Sequence, residues 1–207
     1  MRGVRRLGIM FICTVAAGTL GVAASDPATY WPMAVGMQWE YLSRQGEIQT
    51  VAVVEHQHVA GEDVAVIEYR QSTTPLFSRT HYVVRDEQVL LVAQEAMRAG
   101  FPPRLKQREP PILMWPRDAA IGHCWRAPAG PGTSDDVCIE RQERVSVPAG
   151  TYETLVVVHT DAAGATLTEW FAPGVGLVKS MYTPPPAEQE PPAILELAHF
   201  SPGPGSP

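Results

Sequence analysis

Val54-Glu55-His56-Gln57-His58 places two imidazoles two residues apart. On a β-strand that spacing turns both rings to one face, as a zinc or copper site requires, and turns Glu55 to the other. His81, His123, His159 and His199 would have to join them through the fold, and two histidines on a polar strand face need no metal. The sequence therefore assigns neither metal nor cofactor. His123 beside Cys124 has the composition of a thiol site, which turns on whether Cys124 is free. The carboxylates of Glu40, Glu55, Glu68 and Glu169 fall on expected strands, where two of them meeting would make an acid/base pair. There is no Gly-x-Ser-x-Gly elbow, phosphate-binding loop or helical His-Glu-x-x-His. No catalytic residue is assigned, and the chain is expected not to be an enzyme.

The aromatic residues say more. Trp31, Trp39, Tyr41, Tyr69, Phe77 and Tyr82 precede a second set, Trp115, Trp125, Tyr152, Trp170, Phe171 and Tyr182. Aromatic burial needs no ligand, so these rings read first as the core of a bent sheet. If the sheet encloses more volume than they fill, an apolar cavity remains, and Trp39, Tyr82, Trp125 and Trp170 are the residues expected to line it.

The elements that must position these rings are strands. Segments 38–44, 48–56, 64–71, 79–85 and 89–94 are rich in β-branched and aromatic residues and are bounded by turn signals, as are 137–147, 155–160, 166–171, 177–182 and 194–200. With 20 prolines and 17 glycines there is no room for a long amphipathic helix, and only Gln94 to Ala99 is free to take a helical turn. Trp31-Pro32, Gly36 and Trp39 return in order as Trp115-Pro116, Gly122 and Trp125. Val59-Ala60-Gly61 likewise answers Val147-Pro148-Ala149-Gly150, where proline ends a strand and glycine accepts the positive φ of a tight turn. Thr80-His81-Tyr82 answers Thr168-Glu169-Trp170-Phe171, and Glu109-Pro110-Pro111 answers Glu190-Pro191-Pro192. A period of this length marks a duplicated supersecondary unit, with repeats at 31–114 and 115–201. The proline-rich stretches 101–111 and 183–192 are stiff, fall at matching points and are expected to overhang one opening of the sheet.

Residues 1–25 read as a secretory leader: Arg2, Arg5 and Arg6, an apolar run from Leu7 to Leu20, then small residues at Val22-Ala23-Ala24-Ser25. The run is short for a membrane span. Ile12 stands before Cys13 where lipidation needs a small residue, and the residues flanking Arg5-Arg6 fit a twin-arginine signal poorly. Without the leader, thirteen Lys and Arg face twenty-two Asp and Glu, a formal balance of minus nine. Such a surface repels polyanions and argues against nucleic acid as a partner. Cys124 and Cys138 are the two remaining cysteines, and an exported pair is expected to be bridged, which would remove Cys124 as a nucleophile. The remainder suits one domain, 26–201, followed by a tail, 202–207, expected to be disordered.

With these motifs in view, the chain resembles a widespread group of bacterial secreted proteins and lipoproteins. The likeness rests on Trp115-Pro116 with Gly122 and Trp125, on Val147 to Tyr152, and on Trp170 to Gly176. In the first copy, Gly61-Glu62-Asp63 and Tyr82-Val83-Val84-Arg85 replace the diagnostic turns. The group in turn is similar to half-barrel periplasmic proteins of the lipoprotein-carrier type, which implies a curved antiparallel sheet around an acyl chain. The expectation is thus an all-β, duplicated antiparallel half-barrel of about ten to twelve strands, periplasmic or secreted, binding an apolar or amphipathic ligand. The alternative is an envelope structural or assembly protein that holds another protein through its sheet edge or proline-rich segments.

Cleavage is expected after Ala24 or Ser25. N-terminal sequencing of the exported protein should begin at Ser25 or Asp26, and an intact leader or a lipidated Cys13 would contradict it.

Overall fold

The computed structural model describes residues 27–98, 101–130, 132–188 and 190–204, so the expected leader, 1–25, lies outside the described residues. A short helix α1 (Pro27–Tyr30) leads into β1 (Gln38–Ser43), β2 (Ile48–Val59), β3 (Glu62–Gln71), β4 (Leu76–Arg85), β5 (Gln88–Arg98) and β6 (Arg104–Trp115). The chain continues as β7 (Cys124–Gly130), β8 (Thr133–Val147), β9 (Gly150–Thr160), β10 (Thr166–Ala172), β11 (Gly176–Thr183) and β12 (Ala193–Ser201). All twelve form one antiparallel sheet in the order β6-β5-β4-β3-β2-β1-β12-β11-β10-β9-β8-β7. The first strand pairs with the last, from Gln38 opposite Ser201 to Ser43 opposite Leu195, and the sheet curls into a nearly closed barrel. Antiparallel class and strand number match the expectation. Closure goes further than a half-barrel.

The two strands that do not pair across the opening are β6 and β7, and both carry proline. On β6, Gln107 lies opposite Ala93 and Ile112 opposite Leu91, so residues 108–111, including Pro110 and Pro111, bulge out opposite a single residue. Pro128 lies within β7, opposite Ser134, and the register shifts after it. Proline removes the N–H that a neighbouring strand would need, which confines such strands to a sheet edge. Stretch 101–111, expected to overhang an opening of the sheet, is thus mostly an edge strand, and residues 94–98 extend β5 instead of turning as a helix.

Six strands precede the opening and six follow it. The backbone makes matching contacts in the two sets. The Gly36 N–H donates to Val53 O at 2.9 Å and Val53 N–H to Met37 O at 3.0 Å, while the Gly122 N–H donates to Ile139 O at 2.7 Å and Ile139 N–H to His123 O at 2.9 Å. Both glycines hold a left-handed φ, 89° and 91°, open to glycine without steric cost. Bulges follow at Val53/Glu55 and Ile139/Arg141, and a second pair sits at His81/Tyr82 and Trp170/Phe171. Each bulge bends its strand and helps the sheet to curl.

Alternation sets the two faces of the wall. On β1, Trp39 and Tyr41 are buried while Glu40 and Leu42 are exposed. Outside, Glu68 accepts from Arg70 at 2.6 Å and from Arg79 at 3.0 Å. Inside, Val53, Val89, Trp115, Val137 and Ile139 are among the most deeply buried residues. The carboxy-terminal tail is packed as far as it is described: a Cβ on Gly36 would lie 2.7 Å from Pro204 Cδ, and one on Gly203 would lie 2.9 Å from Met37 N.

Edge strand β7 is held by covalent chemistry. Cys124 and Cys138 oppose each other in the β7–β8 ladder, their Cα atoms 4.2 Å apart, and form a disulfide. Closing a loop with a separation of 14 residues should be worth about 3 kcal/mol, so reduction should lower the Tm by roughly 5–10 °C. Calorimetry with and without reductant checks this, and an unchanged Tm would contradict it.

Candidate functional site

Every strand connection reverses direction, so the connections alternate between the two ends of the barrel. The segment before β1 shares its end with the β10–β11 turn, and the Gly174 N–H donates to Thr29 O at 2.7 Å there. Trp31 inserts between the two halves at this end. Its ring centroid lies 5.7 Å from Tyr82 and 5.6 Å from Phe171, and Trp115 packs 5.1 Å from Phe171 and 5.5 Å from Tyr30. This cluster plugs the barrel.

Below the plug a cavity of about 330 Å³ remains, walled by Trp39, Tyr41, Tyr69, Tyr82, Glu169 and Phe171 with aliphatic side chains between them. Towards the opposite end it shares Gln49, Leu167, Ser180 and Leu195 with a recess of about 300 Å³ at the β1–β2 turn, which forms its mouth. The β11–β12 connection flanks this mouth through Tyr182 and Ala193. The β5–β6 connection lies at the same end of the barrel, but six strand junctions away. The two proline-rich stretches therefore belong to connections at one end of the barrel, on opposite sides of its wall.

The wall is partly splayed, and the splay recruits two of the aromatic residues. β11 pairs with β12 only from Lys179–Glu196 to Tyr182–Ala193, which leaves carbonyls without ladder partners nearer the plug. Trp39 Nε1–H donates to Val175 O at 2.6 Å and Tyr41 Oη–H to Leu177 O at 2.8 Å. The β8–β9 hairpin overshoots its last rung to β10, Leu155–Phe171, and its turn supplies Ala149 N–H to Leu197 O at 2.9 Å. All three orphan carbonyls thereby acquire donors, as buried backbone requires.

Of the residues expected to line a site, Trp39 and Tyr82 meet in this cavity. Trp170 lies on β10 between Glu169 and Phe171, which line the cavity, and its own ring carries the Lys179 ammonium 5.6 Å from its centroid. Trp125 is half-buried on β7, 6.0 Å from the His123 ring. Neither is among the lining residues. Glu169 is the residue that the expected aromatic set omits. One extra residue stands between Thr168 and Phe171 compared with Thr80 and Tyr82, and a one-residue shift exchanges the faces of a strand. It turns Glu169 inward, where His159 Nε2–H donates to its carboxylate at 3.1 Å.

The other groups considered for chemistry are engaged elsewhere. His56 donates to Met33 O at 2.7 Å, and His58 pairs with Asp63 at 2.9 Å. Glu55 accepts from Gln57 at 2.9 Å. Among the described residues no group of three or more His, Cys, Asp or Glu is placed to hold a metal ion, and no helix is long and apolar enough to cross a membrane.

No protein-family model matches the chain, and no curated protein matches it significantly. Two solved structures align with 82% of it and 97% of their own chains. One is a candidate lipoprotein from Parabacteroides distasonis, 12% identical with a TM-score of 0.47. The other is a candidate exported protein with a YmcC-like fold from Bacteroides fragilis, 13% identical with a TM-score of 0.49.

Burial holds the hydroxyls of Tyr41 and Tyr82 well above the usual tyrosine pKa and raises that of Tyr69; the negative charge of Glu169 adds to all three. Tyr69 and Tyr82 also meet oxygen to oxygen at 3.4 Å. The neutral phenols are the form the fold accepts. Their contribution to stability is therefore complete below the unfolded value of about 10 and is lost as the pH rises towards the folded values. In a phenolate absorption titration, three of the six tyrosines should ionise only together with unfolding. Early, reversible ionisation of all six would contradict this. Tyr41→Phe, which strips Leu177 O of its donor, should cost about 1–3 kcal/mol in denaturant unfolding.

Proposed function

We propose that this chain is an exported, non-catalytic binding protein that holds an apolar or amphipathic ligand inside its barrel. The observation that carries this reading is the cavity under the Trp31 plug, about 330 Å³ and walled chiefly by aromatic and aliphatic side chains. That volume falls in the range of small-molecule sites, roughly 300–1,000 Å³, and a few polar groups among apolar walls are what such sites contain. Export is supported by the basic, apolar and small-residue segments of positions 1–25 and by the disulfide at Cys124–Cys138. A role without chemistry is supported by the commitments of the reactive groups: Cys124 is bridged, Glu68 lies between two arginines, and His56 donates to a backbone carbonyl.

The alternative, an envelope assembly protein that captures another chain by strand addition, draws on the unpaired edges of β6 and β7. Pro110, Pro111 and Pro128 on those edges weigh against it, because an added strand needs continuous donors and acceptors.

Native mass spectrometry of protein purified from its own envelope should show a bound apolar species. Ser180→Phe, at the narrowing between mouth and cavity, should abolish that species and leave the Tm within roughly 2 °C, because the new ring fills existing space. Ligand-free protein that also fails to quench or shift the emission of Trp31 and Trp39 with any apolar probe would overturn the reading.

A further inference from the structure

The cavity wall is uneven in charge. Glu169 is the one formally charged residue among those that line it, and no Lys or Arg does so. Its carboxylate sits opposite Ser180 on β11, held on one side by His159, while the rings of Trp39, Tyr41, Tyr69, Tyr82 and Phe171 present their surfaces to the same space. The side chains of Tyr41, Tyr69 and Tyr82 line the same cavity as Glu169.

Aromatic faces carry the negative end of the ring quadrupole and attract cations, most strongly where water is excluded. A carboxylate behind such faces adds a full charge of the same sign. An anionic group entering this space would meet Glu169 with no Lys or Arg in the lining, and the one basic side chain beside that carboxylate, His159, is already engaged by it; burying an unpaired charge is costly. Lys179, next to Ser180 in the chain, is committed to Glu196 at 2.7 Å and to the Trp170 ring, which is not part of the lining. Net charge points the same way: without residues 1–25 the formal balance is minus nine. We propose that the cavity selects organic cations, molecules with an alkylammonium end beside Glu169 and an apolar remainder against the aromatic walls. The proposal rests on the binding reading above and names the chemistry of its ligand. Glu169 is the specificity-determining residue, and His159 is a positioning residue that fixes one carboxylate oxygen and leaves the other for the ligand.

Isothermal titration calorimetry at low ionic strength with hexyltrimethylammonium, hexanol and hexanoate tests this on the intact protein. The three probes share a tail and differ in charge. The ammonium should bind about tenfold or more tighter than the alcohol, and the carboxylate weakest of all. Glu169→Gln should remove about tenfold of the ammonium affinity and leave hexanol within about twofold, because the amide keeps the shape and loses the charge. Equal affinity for ammonium and alcohol in the wild type, or a preference that survives Glu169→Gln, would overturn the cation assignment and leave the binding reading standing. Failure of all three probes to bind would overturn both. Should Glu169→Gln unfold, the three-probe comparison on the wild type decides alone.

Discussion

The hydrogen-bonded junction between β1 and β12 is the constraint on which the rest of the molecule depends. It joins the first strand to the last and so converts a meander of twelve strands into a nearly closed wall. Only with that junction made do Trp39 and Tyr41 on β1 stand close enough to β11 to take the carbonyls of Val175 and Leu177. The corresponding junction between β6 and β7 stays unpaired, and the prolines on those strands are the physical reason. One seam is thus zipped and the other is blunted, which leaves a barrel with a defined inside and edges poor at recruiting further strands.

Within that wall, the lining of the cavity and the stability of the barrel draw on the same side chains. Trp39 and Tyr41 line the cavity and also satisfy backbone acceptors that the splay of β11 from β12 leaves behind. Trp31 closes one end by packing between Tyr82 and Phe171, residues from the two halves of the chain. The space below is lined by the carboxylate of Glu169 and by the phenols of Tyr41, Tyr69 and Tyr82 among aliphatic side chains. Polar groups in that position would be costly in a sealed core, and they make physical sense facing a ligand or solvent.

Much of the architecture was legible in the sequence. Ten strands announced themselves through β-branched and aromatic runs, and the two that did not, β6 and β7, are those whose prolines disguise an edge strand as a loop. The cysteine pair was legible from compartment and spacing, because Cys124 and Cys138 flank a turn. The site was half legible. Aromatic type alone points to Trp39, Tyr82 and Trp170 alike, but the extra residue after Thr168 makes Phe171 the inward ring and Glu169 its inward neighbour. Alternation along β10 then decides the faces, and the only sequence signal for it is the mismatch in count between the two segments. The splayed junction and the reach of the β8–β9 hairpin to Leu197 depend on long-range curvature, which no local pattern encodes.

The central claim is that the space between Trp39, Tyr82, Glu169 and Phe171 is a ligand site and not a packing defect. A crystal structure of the protein isolated from its own envelope, without refolding or delipidation, tests it most directly. Continuous density for an apolar chain under Trp31, with its polar end at Glu169, is the result this account predicts. Side chains collapsed into the cavity, with Trp31 drawn down onto Tyr69 and Glu169 turned out to solvent, would contradict it.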